Sequence, residues 1–350
     1  MQIDELLRLM VEKDASDLHL RVPSPPVLRI DGVLIPQQDL PPVTPTDVKE
    51  AFEHITVESQ QKVFHQKLEL DLAYSIPGLA GFRVNVLHQR RTMSIAFRRI
   101  PSTVPTIDEL ELPQICKSLI LKPRGLILVT GPTGSGKSTT LAAMIDYLNE
   151  NEKRNVITIE DPIEYLHQNK KCIIAQRELG DDTKSFASAL LHVLRHDPDV
   201  ILVGEMRDLE TIGTAITAAE AGQLVLTTLH TIDAVQTVDR IIDVFPPDQQ
   251  RQIRLQLSQI IEAVLSQTLL PRIGGKGRIA AFEILVATPA VRNLIRTSKT
   301  FELPGIMQVG AKDGIQTLNQ SLAYLVKNHK VTAKEAMMRS SDPVQLKKLI

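Results

Sequence analysis

The chain has no tryptophan, and its 350 residues include only eight phenylalanines and four tyrosines. A core of this size must therefore be built mainly from Leu, Ile and Val. The scarcity of aromatics also counts against a track on which nucleic-acid bases could stack. Charge of one sign is lacking too. The formal net charge is −1, with a pI near 6.8, so nothing draws the whole chain toward nucleic acid or anionic lipid, although a total hides any local patch. Cysteine is nearly absent. Cys116 and Cys172 stand far apart with no C-x-x-C pair, which excludes a zinc knuckle built from this chain alone and points to a reducing compartment. Sequence alone leaves a disulfide between the two open. No apolar run approaches bilayer-spanning length, and the opening Ile3, Asp4, Glu5 and Leu6 do not read as a signal peptide. The expectation is a cytoplasmic protein, or one held at a membrane only through partners.

What is present divides in two. The length favours more than one domain. Residues 3–13 carry helical periodicity through Ile3, Leu6, Leu7, Met10 and Val11. Strands are expected at 17–22 and 27–31, the second ending in an Asp31-Gly32 turn, then a helix at 46–66 and strands at 69–76, 82–88 and 93–99. This is a small α+β unit. The prolines of 101–105 mark a linker. From about 107 to 285 short aliphatic strands alternate with helices, the pattern of a parallel α/β sheet. The expected strands are 126–130, 156–159, 200–203 and 224–229, apolar enough to be buried on both faces. Residues 289–350 read as mostly helical.

The strongest local signal is Gly131-Pro132-Thr133-Gly134-Ser135-Gly136-Lys137-Ser138, followed by Thr139. Its spacing is that of a P-loop, with a strand entering and a helix, roughly 138–149, leaving. Glycines let the backbone curl so that its amides face phosphate oxygens, and the helix start adds a favourable dipole. Lys137 would reach the β- and γ-phosphates of ATP, and the Ser138 hydroxyl would ligate Mg2+. The alternative is a chance glycine turn, which the strand–loop–helix context argues against.

In open α/β sheets ligands sit beyond the carboxyl ends of the strands, and here those ends turn polar. Glu160, Asp161 and Glu164 follow one strand, Gly204 and Glu205 another, and His230 a third. The 199–205 stretch resembles a Walker B segment, but Asp199 and Glu205 are six strand steps apart, roughly 20 Å at the usual rise. They cannot share one magnesium shell. Asp199 falls at the end away from the loop, so Glu205 is assigned to polarising water or holding magnesium through water, and Asp199 to local pairing. Glu164 is a second candidate acid. His230 is a candidate γ-phosphate sensor, or else a histidine bonded to a neighbouring loop. His192 and His196 stand four apart on an expected helix, but no third ligand is evident, so surface or interface histidines are expected there.

Taken together, these motifs resemble the secretion ATPase superfamily, and specifically the type IV pilus retraction ATPases (the PilT family). The matching pieces are Ser16-Asp17-Leu18-His19-Leu20, the loop at 131–139, the acidic box at 157–164, the segment 197–208 and Thr227-Thr228-Leu229-His230-Thr231. The resemblance covers essentially the whole chain. It implies a PAS-like N-terminal domain at 1–100, a linker at 101–106, a RecA-like ATPase domain at 107–288 and a helical C-terminal region at 289–350. It also implies a homo-hexameric ring at the inner face of the inner membrane, working with the pilus machine's inner-membrane platform protein and with no nucleic acid.

Arg83, Arg98 and Arg278 are implied to approach the phosphates. The segment Ala290-Val291-Arg292-Asn293-Leu294-Ile295-Arg296 is similar to the retraction signature, whose final Glu is replaced here by Thr297. Thr288 and Pro289 are suited to begin that helix. Extension and secretion relatives resemble the motor core but usually carry an extra N-terminal domain and often a four-cysteine insert. A RecA-like nucleic-acid motor is the alternative from another class.

Overall fold

The computed structural model describes every residue except Met1, Asp31, Ser102 and Lys276. The expected Asp31-Gly32 turn and part of the 101–105 linker thus lie outside the described residues. The chain divides into two compact units, Met1–Thr103 with Glu164–Leu166, and Val104–Ile163 with His167–Ile350.

The first unit is built on one antiparallel sheet. Its strands are β1 (Asp17–Arg21), β2 (Val27–Ile30), β3 (Val33–Pro36), β4 (Glu69–Ile76), β5 (Ala80–Gln89) and β6 (Thr92–Ile100), in spatial order β3-β2-β1-β6-β5-β4. Leu6, Leu7 and Met10 of the helix Ile3–Glu12 join Phe52, Phe64, Phe82 and Phe97 in its core. Two details differ from expectation. β3 was not foreseen, because its Val33, Leu34 and Ile35 are all exposed on an edge strand among prolines. The helix at 46–66 is two helices, Pro45–Ile55 and Glu58–Lys67. Thr56 takes an extended backbone between them, its hydroxyl bonding the Phe52 carbonyl, and the Val57 amide bonds Gln60 Oε1 at 3.1 Å. Competition of this kind from a threonine side chain is a common way for a helix to end.

The second unit centres on β7 (Gly125–Thr130), β8 (Asn155–Glu160), β9 (Ile173–Glu178), β10 (Val200–Val203), β11 (Leu224–Leu229), β12 (Ile261–Pro271) and β13 (Arg278–Val286), in order β13-β12-β7-β11-β10-β8-β9. All are parallel except β13, which runs antiparallel to β12. The side-chain alternation of a strand sorts the core into two layers. Leu126, Leu128, Ile157, Ile159, Ile201 and Val203 pack with the helices Phe186–Val193, Leu209–Ala221 and Ala234–Asp243. Ile127, Val129, Val156, Val200 and Leu202 pack with Leu141, Met144, Ile145 and Leu148 of the helix Lys137–Asn151. Helices on both faces explain why every residue of β7, β10 and β11 is buried.

The four expected strands are present, and β9, β12 and β13 are additional. The helices after Pro289 fall in the same unit, and Leu322, Leu325 and Leu346 close over Leu270, Ile279 and Ala281 of the β12–β13 hairpin. Both cysteines are buried free thiols.

Candidate nucleotide site

β7 ends at Thr130, whose hydroxyl bonds that of Ser266 in β12 at 2.8 Å. The chain then turns through Gly131, Gly134 and Gly136 at φ values of +138°, +76° and +91°, a region that side chains rarely adopt. At Gly131 space demands glycine as well, since a Cβ there would lie 2.3 Å from the Gln267 carbonyl oxygen. The helix Lys137–Asn151 opens at Gly136 with no side-chain cap, and such a helix start attracts anions. The Ser135 hydroxyl is buried and has no hydrogen-bond partner among the described residues. Lys137 Nζ folds back onto the carbonyls of Gly131 and Pro132, at 2.9 and 3.2 Å. Left-handed glycines, an uncapped helix start and an orphaned buried hydroxyl together suit a polyphosphate anion.

The neighbouring strand ends are laced to one another. Gly204 N donates to Ile159 O (2.7 Å), Met206 N to Thr228 O (3.3 Å), and the Thr228 hydroxyl to Gly204 O (2.6 Å). Gly131 N donates to Leu229 O at 3.3 Å, tying the loop into the same edge. On this frame stands Glu205, with both carboxylate oxygens engaged. Oε2 meets Arg207 at 2.7 Å and Oε1 meets His230 Nε2 at 2.9 Å. Burial pushes the Glu205 carboxyl up, but the hydrogen bond and charge of Arg207, joined by His230, outweigh it and hold the group below the usual glutamate range. Glu160 accepts from Thr158 Oγ1 at 2.6 Å and Gln176 Nε2 at 3.1 Å.

Glu205 and His230 are therefore brought together at the edge where the loop lies. Asp199 is at the other end of β10, where its carboxylate accepts the Asn155 amide at 2.8 Å. Glu164 is exposed and groups with the first unit. So do Arg83 and Arg98, which face each other across β5 and β6. Arg98 bonds the buried Asp17 at 2.8 Å, while Arg83 is exposed and forms no ion pair among the described residues. Arg278 is exposed at the start of β13.

The segment 290–296 lies within the helix Pro289–Arg296, capped by the Thr288 hydroxyl, with Val291, Leu294 and Ile295 buried. Its two arginines differ. Arg296 bonds Asn293 Oδ1 within its own helix. Arg292 is bonded inside the chain, to the carbonyls of Ser258, Gln259 and Ala287 and to Glu262 at 2.7 Å. Among the described residues no group of three or more His, Cys, Asp and Glu could hold a metal ion, and no helix is long and apolar enough to cross a membrane.

Two residues of this region were missed in the sequence. Arg207 follows Glu205 by two positions and its pairing has no signature. Gln267 is 3% exposed beneath the loop, and its one visible signal is the polar trio Ser266-Gln267-Thr268 set between apolar residues.

A model of the family described as "Type II/IV secretion system protein" matches residues 2–338. The chain is 48% identical over 343 residues to the type IV pilus retraction ATPase PilT of Pseudomonas aeruginosa, covering 98% of this chain and 99% of that one. It is 49% identical over 317 residues to a twitching motility protein of Neisseria gonorrhoeae, covering 91% and 84%. Among solved structures, the pilus retraction motor PilT with bound ADP superposes with a TM-score of 0.92 at 46% identity, covering 99% of each chain.

Proposed function

The chain belongs to the type II/IV secretion system protein family, and from that premise we propose that it is an ATP-hydrolysing motor subunit that powers retraction of a type IV pilus. The observation that carries this reading is the glycine loop at the head of the helix Lys137–Asn151, set on the same sheet edge as the Glu205–His230 pair. The chain's whole-length similarity to retraction ATPases supports it.

In this reading the loop amides and Lys137 hold the phosphates, and Lys137 leaves its own loop carbonyls to do so. Ser138 would hold Mg2+, which when bound would neutralise charge on the phosphates. Glu205 orients and polarises the attacking water once an oxygen is released from its partners. His230, bonded to Glu205, senses the γ-phosphate, and Glu164 serves as a second acid. Arg83, Arg98 and Arg278 supply positive charge to the transferring phosphoryl, an effect worth roughly 10³–10⁵ in rate where an arginine is so used. Arg83 is suited to it because it is exposed and forms no ion pair among the described residues, whereas Arg98 would first have to leave Asp17. The domain limits at 100, 106 and 288, a homo-hexameric ring and attachment to an inner-membrane platform protein at the cytoplasmic face belong to the same proposal.

Phosphate release measured against chain concentration, with and without magnesium chelation, tests it. The expected result is magnesium-dependent hydrolysis whose rate per subunit rises with concentration as rings form. Full activity in a dilute monomer would remove the ring, and no phosphate release in any condition would remove the motor.

A further inference from the structure

Gln267 lies in β12 with its side chain 3% exposed. Its amide reaches the phosphate loop at two points. Nε2 donates to the Ser135 carbonyl at 2.5 Å, and Oε1 accepts the Thr140 hydroxyl at 2.9 Å, Thr140 itself being 2% exposed. The backbone of the same residue bounds the loop's start, where its carbonyl oxygen leaves no room for a Cβ at Gly131. At the loop's end, a Cβ on Gly136 would stand 3.1 Å from Gln267 Nε2. One residue from a neighbouring strand thus touches the entry, the tip and the first helical turn of the loop.

The polarity of the amide is dictated by its partners. A carbonyl oxygen at Ser135 needs a donor, and the orienting hydroxyl of Thr140 then donates to the other end. Methionine matches the side chain's size but can make neither bond, and would leave a buried carbonyl unpaired. The glycines give the loop freedom in the unfolded chain and therefore a tendency to wander. An external brace counters that tendency, and a preorganised anion site binds more tightly because ordering is not charged to binding.

We infer that Gln267 is a positioning residue for nucleotide binding, holding the phosphate loop in its anion-receiving form through Ser135 and Thr140. The inference rests on the proposed nucleotide site and adds a residue outside the loop motif to it.

The test is fluorescence titration of the full-length chain with N-methylanthraniloyl-ADP, with thermal unfolding recorded for each variant. Gln267→Met is expected to bind about tenfold more weakly, the scale of one lost hydrogen bond with a stranded partner. Thr140→Val, which removes only the orienting hydroxyl, is expected to lose about threefold. Gln267→Glu supplies a readout that loss of packing does not move. Its carboxylate opposes the Ser135 carbonyl at about pH 8. Burial raises the carboxyl's pKa, and by about pH 6 the protonated acid can donate to Ser135 and accept from Thr140 as the amide does. Its affinity relative to wild type is therefore expected to recover about fivefold or more across that interval, whereas that of Gln267→Met stays flat.

Binding within twofold of wild type by a folded Gln267→Met, or a pH-independent deficit in Gln267→Glu, would overturn the inference while leaving the nucleotide site intact. A wild-type chain that takes up no nucleotide would overturn both. Should Gln267→Met fail to fold, the Gln267→Glu pH series and Thr140→Val decide the matter alone.

Discussion

The two edges of the parallel sheet in the second unit carry similar residue types and use them differently. At the amino edge, charged and polar side chains bond mainly to main-chain groups. Asp199 accepts the Asn155 amide, Asn155 Nδ2 donates to the carbonyls of His196 and Asp197, and Arg154 donates to those of Leu121 and Lys122. Arg292 belongs to this set, since Ser258, Gln259 and Glu262 flank the start of β12. At the carboxyl edge Glu205 meets two side chains, Arg207 and His230, although Lys137 rests on carbonyls of its own loop. A bond to fixed backbone holds a structure in place. A bond between side chains can be exchanged for a ligand through rotamer changes alone. β10 makes the contrast within one strand, with Asp199 before it and Glu205 after it.

The largest effect expected from breaking this contrast is at Glu205. Glu205→Gln should lower phosphate release by about 10²–10⁴, the usual weight of a positioned acid or base, while nucleotide affinity in titration stays within about threefold. Lys137→Ala should instead weaken nucleotide binding by about 100-fold, the loss of a charge-assisted bond to phosphate; equal loss of binding in both variants would mean that Glu205 is misassigned. At the opposite edge, Arg292→Ala should destabilise the chain by about 2 kcal/mol in denaturant unfolding, since it leaves the carbonyls of Ser258, Gln259 and Ala287 without their guanidinium donor and removes one of the two cations on Glu262. Arg296→Ala should leave stability unchanged within about 0.5 kcal/mol. Asp199→Ala lies between these two, expected to cost about 1 kcal/mol of stability with turnover kept within about twofold. If Asp199→Ala cut turnover as deeply as Glu205→Gln, the two edges would not differ in kind.

Much of this was legible from residue order. The aliphatic runs of β7, β8, β10 and β11 announce strands buried on both faces, and a strand's direction then decides which of its flanking acids faces the loop. β9 and β12 were not legible because Gln176 and Arg177, or Ser266 and Gln267, interrupt the apolar pattern. The same residues are polar for a reason that only the assembled sheet reveals. Gln176 bonds Glu160 and Gln267 bonds the phosphate loop, so the signal that hides each strand is the one that ties it to the site. Arg292 shows the converse limit. Arg292 lies off the stripe formed by the buried Val291, Leu294 and Ile295, but a long guanidinium stem can cross to carbonyls that no sequence window connects to it.

One consequence of the amino-edge bonding concerns how this protein can vary. A peptide carbonyl is contributed by every amino acid alike, so the acceptors at Leu121, Lys122, His196, Asp197, Ser258 and Gln259 persist whatever side chains stand there. These bonds therefore survive a change of side chain at those positions as long as the donors Arg154, Asn155 and Arg292 remain, although the side chains of Lys122, paired with Glu262, and of buried Ser258 have ties of their own. The opposite edge has no such latitude, because replacing either member of a side-chain pair removes the pair.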